Sequence, residues 1–176
     1  IHNVTGVVAL VFLLALTTTG LVIGFESVTT PAFYKMTGTA PTPRPKLRVT
    51  PVAGATPLGP DSALALARAA LPGTTPFQLN VPGPAEPYVI RARYPEDRTP
   101  GGRSLVVLNP YSGAVMFAEG SRGAPAGTRL VTANRAIHTG DMFGIPGKIL
   151  VSLASLAALA QVVTGLTMWL KRRRPE

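Results

Sequence analysis

Two stretches of the chain carry no charge at all, Val7 to Phe25 and Ile149 to Leu170. Each is about 20 residues long, which at about 1.5 Å of rise per residue matches the roughly 30 Å hydrocarbon core of a bilayer. A helix in a soluble core rarely runs that far without a charged face. The pattern therefore predicts two transmembrane helices, over 1–25 and 146–170. A secretory signal would show a short apolar centre and a small-x-small cleavage site. "TGLVIGFESV" offers no good one, so a retained span is expected.

Between the runs the pattern changes character. Residues 26–60 include six prolines from Pro41 to Pro60 and predict an extended connector, ordered only if something holds it. "DSALALARAALPG" predicts a short helix with Asp61 as N-cap, Leu64, Ala67 and Leu71 on one face, and Pro72-Gly73 as the stop. Four strand-like segments follow: "PFQLNV", "EPYVIRARYP", "RSLVVLNP" and "AVMFAE". In the second, Tyr88, Ile90, Ala92 and Tyr94 alternate with Val89, Arg91 and Arg93, a period of two with a basic outer face. "NPYSG", Asn109 to Gly113, reads as the turn into the last strand. The sum is α+β: one helix on a three- or four-stranded antiparallel sheet over 61–120, flanked by membrane helices. Residues 121–145 lead back to the bilayer as a connector, and Pro146 suits the first position of the second span.

The chain is basic, with a net charge of +9. Nucleic acid is the reflex partner of a basic chain. Here Lys171, Arg172, Arg173 and Arg174 follow the second span directly and form a basic tail over 171–176. That placement points instead to anionic lipid and to a cytoplasmic tail. With two spans, both termini are expected in the cytoplasm and the central domain in the periplasm of a bacterial inner membrane. The central segment is itself basic, but long segments are translocated largely regardless of charge. There is no cysteine, which excludes disulfides, thiolate metal sites, c-type haem attachment and thiol catalysis.

Certain residues resemble a known pattern. "ALALARAALPG", followed by strands and "VVLNPYSGAVM", is similar to the PepSY domain, with Asn109 where an aspartate is usual. "HTGDMFGIPGKILVSLASLAALAQVVTGLTMWLKRR" resembles PepSY-associated transmembrane proteins in its His-Thr-Gly, Phe-Gly, later Thr-Gly, and tryptophan beside an Arg-rich end. His2, Gly6 and Thr19-Gly20 fit the same family, so the resemblance covers nearly the whole chain. It implies a PepSY domain between membrane helices. Larger members of the family have four or more spans and are associated with iron uptake, some as haem-bearing reductases of ferric siderophores. This chain has two spans.

His2 and His138 are the only histidines and the candidate ligands of a haem b. They fall before the first and second spans, on opposite sides of the membrane. A roughly 30 Å core separates them, and no single iron bridges that distance. Each would need a partner from another chain. The plainer expectation is no cofactor, with His138 an interfacial donor near Glu26 or Asp141. No serine falls in a motif with a histidine, no Gly-rich phosphate loop follows a strand, and two histidines alone do not make a protein-only zinc site. The chain is expected not to be an enzyme.

Helix packing offers the remaining candidates. Gly20 and Gly24 form a GxxxG spacing, and Gly6, Thr19 and Thr164-Gly165 add small residues. Gln161 falls near mid-membrane, where an unpaired amide is costly. It lies several ångströms deeper than Thr17, Thr18 and Thr19, so it is expected to face a helix or cofactor of another subunit. Trp169 anchors the inner interface. The favoured reading is a non-catalytic accessory subunit of a larger inner-membrane complex, respiratory or photosynthetic. Its partners are membrane lipids and other integral membrane subunits, with no nucleic acid. The alternative is a haem-bearing electron-transfer or ferric-siderophore reductase component. A third reading, peptidase inhibition, rests only on what isolated PepSY domains are thought to do.

Overall fold

The computed structural model describes residues 2–43 and 47–172, with the side chains of 2–5 and 8 also outside the described set. The elements in order are α1 (His2–Gly24), α2 (Glu26–Thr37), α3 (Pro60–Ala70), β1 (Thr75–Asn80), β2 (Tyr88–Arg93), β3 (Ser104–Leu108), β4 (Val115–Glu119), α4 (Ala126–His138) and α5 (Gly144–Arg172). Two units emerge, one of residues 1–37 with 130–176, the other Gly38–Arg129.

In the second unit the strands form a four-stranded antiparallel meander, β1-β2-β3-β4. The alternation in β2 sets its inner face. Tyr88 pairs with Leu108, Ile90 with Val106 and Ala92 with Ser104, and all six are buried. Ala63 and Ala67 of α3 press on this face, with Leu58, Leu64, Leu66 and Leu71 around them. Small residues on the helix let it approach the sheet closely. Arg91 and Arg93 point outward, as the period of two requires. Pro76 is tolerated because β1 is an edge strand, and the register shifts beside it.

The helix start differs from expectation. Gly59 is the N-cap, Pro60 opens α3, and Asp61 sits in the first turn without capping it. Proline is pre-set for that position, and an acidic residue in the first turn still complements the helix dipole. The Pro-rich segment is held by its own domain. Tyr88 donates its hydroxyl proton to Leu58 O at 2.6 Å, Leu58 N–H donates to Pro110 O at 2.7 Å, and Val49 N–H donates to Ala85 O at 3.1 Å. The NPYSG turn forms as read. Asn109 Oδ1 accepts from Tyr111 N–H at 2.9 Å and Ser112 N–H at 3.2 Å, and Gly113 takes φ +73°. A carboxylate would accept the same two bonds, so asparagine in the aspartate position preserves the turn.

The first unit pairs α1 with α5 in antiparallel fashion. Gly6 near the start of α1 meets Gln161 late in α5, and the seam buries Ala9 and Ala154. One described helix, Asp141–Arg172, is long and apolar enough to cross a membrane, and an apolar window within it is almost wholly exposed. On the α1 side, Ala9–Gly24 meets the same criterion only together with Glu26–Thr37, across a 97° bend. One clear span and one bent pair therefore stand where the sequence predicts two spans.

Two segments expected to be irregular are helical. Residues 26–37 form α2, despite Pro31, in place of the start of an extended connector. The corner at Phe25 is hydrogen-bonded throughout: Thr29 Oγ1 donates to Val22 O at 2.7 Å, and Thr29 N–H donates to Phe25 O at 3.0 Å. These bonds occupy carbonyls that a helix end leaves unsatisfied, and they start the next helix. Within the 121–145 connector, residues 126–138 form α4. α5 begins at Gly144, so Pro146 is its third residue. It remains within the first turn, where a missing N–H is harmless.

Candidate functional site

The chemistry-bearing residues of the first unit gather where α4 meets α1. Asn134 and His138 stand four residues apart on α4 and so share a face. Asn134 Nδ2 donates to Thr19 O at 3.1 Å, and His138 Nδ1 lies 3.0 Å from Thr19 Oγ1. Thr19 Oγ1 also donates to Ala15 O at 2.7 Å, and the direction of its contact with Nδ1 depends on the tautomer of the ring. The His138 ring lies against the bare backbone of Gly20, where an added Cβ would come 3.1 Å from Cε1.

His138 therefore does not bond Glu26 or Asp141. Its partner is a hydroxyl on the first helix, because α4 folds back against α1 instead of running on as a loose connector. Asp141 is engaged elsewhere: it accepts from Thr139 Oγ1 at 2.7 Å and pairs with Lys148 Nζ at 2.9 Å. Gly140, at φ +76°, allows this turn, with the backbone of Gly147 so close that a side chain would collide.

Gln161 is where the depth argument fails. Its amide lies against Gly6 of its own first helix, with Oε1 3.3 Å from where a Cβ on Gly6 would sit. Threonines are the visible hydrogen-bonding partners on α1, but a side chain also needs room, and glycine supplies it. The GxxxG pair divides as well. Gly20 receives His138, whereas nothing approaches Gly24 within 4 Å. Gly165, one turn after Gln161, is half-buried. Trp169, Lys171 and Arg172 are exposed in the last turns of α5, where basic residues also suit the negative helix end. Arg173 and Arg174 lie outside the described residues, as does the side chain of His2.

An apolar groove of about 160 Å³ runs along the α1–α5 seam, lined among others by Phe12, Ala15, Leu16, Leu150, Val151 and Ala154. It falls below the roughly 300–1,000 Å³ of ordinary ligand clefts. From His2, at the start of α1, to Gly20 beside His138 is about 27 Å of helix rise. One chain therefore cannot place both histidines on one haem.

The second unit has a polar cluster that the sequence does not single out. Asp97 accepts from Tyr94 N–H at 2.8 Å and Ser121 Oγ at 2.7 Å, and Ser121 N–H donates to Ser104 Oγ at 3.1 Å. Arg122 pairs with Glu96 at 2.6 Å and stacks 4.0 Å over the Tyr94 ring. The side-chain hydrogen bond from Arg122 holds the Glu96 carboxyl below its ordinary range. These contacts pin the loop after β2 to the turn after β4, far apart in sequence, so local pattern gives no sign of them. Among the described residues, no three of His, Cys, Asp and Glu gather as metal ligands would.

A family model described as the PepSY-associated TM region matches residues 1–172. No curated protein matches the chain.

Proposed function

The chain belongs to the PepSY-associated TM family, and from that premise we propose a non-catalytic subunit of a larger bacterial inner-membrane complex. Both α1 and α5 cross the bilayer, the basic end of α5 faces the cytoplasm, and the Gly38–Arg129 unit lies in the periplasm. That unit braces the outer face of partner subunits in a respiratory or photosynthetic assembly. The supporting observation is the surface of α5. Ile149, Leu153, Leu156, Leu159, Val163 and Leu166 are all more than half exposed, so α1 covers only a narrow stripe. Lipid and partner helices together supply the rest. Gln161 lends no support, since it is turned to its own chain. The test is mild extraction followed by native electrophoresis and mass spectrometry. Co-migrating integral membrane proteins support the reading, and a bare monomer defeats it.

A second reading rests on the placement of His138, whose Nδ1 is engaged by Thr19 and whose Nε2 is the ring nitrogen left to ligate. In that reading His138 supplies one axial ligand of a haem b at an interface, and another chain supplies the second. An absorption spectrum decides it. A Soret band lost in His138→Ala supports the haem, and a colourless preparation removes it.

A further inference from the structure

The α2 helix leaves α1 at 97° and exposes one apolar edge. At 100° per residue, Val28, Ala32 and Met36 fall within one stripe of about 80°, and Phe25 stands at the corner just before it. All four are exposed, and Phe25, Val28 and Met36 are 60%, 67% and 69% accessible. Glu26, Ser27, Thr30 and Thr37 occupy the opposite side together with the half-buried Tyr34, Phe33 lies half-buried on the flank, and Lys35 borders the stripe. The right angle is built in, because Thr29 bonds both Val22 O and Phe25 O across the corner. α1 is 23 residues long, about 34 Å of rise, which already exceeds the roughly 30 Å core. No bilayer thickness remains for α2 to cross.

We propose that α2 is an interfacial helix that lies on the periplasmic leaflet, with Phe25, Val28, Ala32 and Met36 in the headgroup–acyl boundary. This rests on the membrane-spanning reading of α1 and α5. The occupant is lipid because exposed apolar residues run from Leu21 of α1 through Phe25 at the corner to Val28 of α2. Lys35 beside the stripe is placed to reach lipid phosphates while its stem stays apolar. A helix held in this plane fixes the depth of α1 and resists its tilting.

The chain has no cysteine, so single nitroxide labels can be placed cleanly. Labels on Val28→Cys, Met36→Cys and Ser27→Cys of the full chain are compared in lipid nanodiscs. Collision with oxygen reports lipid, and collision with a water-soluble nickel chelate reports water. Val28 and Met36 should favour oxygen several-fold over Ser27. Water-like collision at the stripe overturns the proposal, and so does shielding from both reagents, which would mean that another protein or a second copy covers it. Leu156→Cys on α5 is the control. If it also favours nickel, the membrane reading itself fails along with this one.

Discussion

Gly20 and Gly24 share one helix and one residue type, yet only Gly20 is covered, so leucine at each isolates packing from composition. Gly20→Leu places a branched chain where a Cβ alone already comes 3.1 Å from the His138 ring. Overpacking of this kind costs about 1–3 kcal/mol. Displacing His138 also breaks its bond to Thr19, and a net hydrogen bond of this kind is worth about 0.5–1.5 kcal/mol. Together the loss is about 1.5–4.5 kcal/mol, roughly 12- to 1,600-fold in the equilibrium between packed and separated helices. Gly24→Leu meets nothing within 4 Å and should be close to neutral. The assay is energy transfer between fluorophores on Val11→Cys and Leu156→Cys, both exposed, in maltoside micelles titrated with dodecyl sulfate. Gly20→Leu should separate the helices at a markedly lower mole fraction of dodecyl sulfate. Equal shifts for the two variants, or a larger one for Gly24→Leu, would refute the division and restore a GxxxG crossing.

Gln161→Leu replaces the amide that lies against Gly6 with a branched chain and should weaken the α1–α5 pair in the same assay. It should leave any larger assembly intact on native gels, and loss of the assembly would show that Gln161 faces outward after all. Asn109→Ala removes the acceptor of two turn bonds and should destabilise the second unit by about 1–3 kcal/mol, whereas Asn109→Asp should be tolerated. Amide hydrogen exchange across β3 and β4 reads the difference. The Glu96 carboxyl is lowered by Arg122, so its contribution is full above the unfolded carboxyl pKa and is lost as pH falls through the lower folded value. Both groups are exposed, so the effect is small. An NMR titration should place Glu96 below its ordinary midpoint and return it in Arg122→Gln.

The sheet is legible because half-burial writes itself into sequence at period two, as Tyr88, Ile90, Ala92 and Tyr94 show. The NPYSG turn is legible because asparagine and glycine do local work there. α2 is hidden because Pro31 and the run of threonines argue against a helix, while the bond from Thr29 back to Val22, seven residues away, follows no helical spacing. The same holds for the site. That His138 stands near an interface can be read from its position, but its partner Thr19 is more than a hundred residues away, and no local signal connects them. Gly6 is legible as a small residue for helix packing, but a residue without a side chain names no partner. That its bare surface gives Gln161 a place within its own chain is not legible.

The central question is whether this helix pair lives among other subunits. The direct measurement is native mass spectrometry of the protein released from its own membrane in a mild detergent, with affinity capture through the chain itself. A subunit of a larger assembly should emerge as a stoichiometric complex with other integral membrane proteins. A homogeneous single chain carrying only lipid would contradict that role.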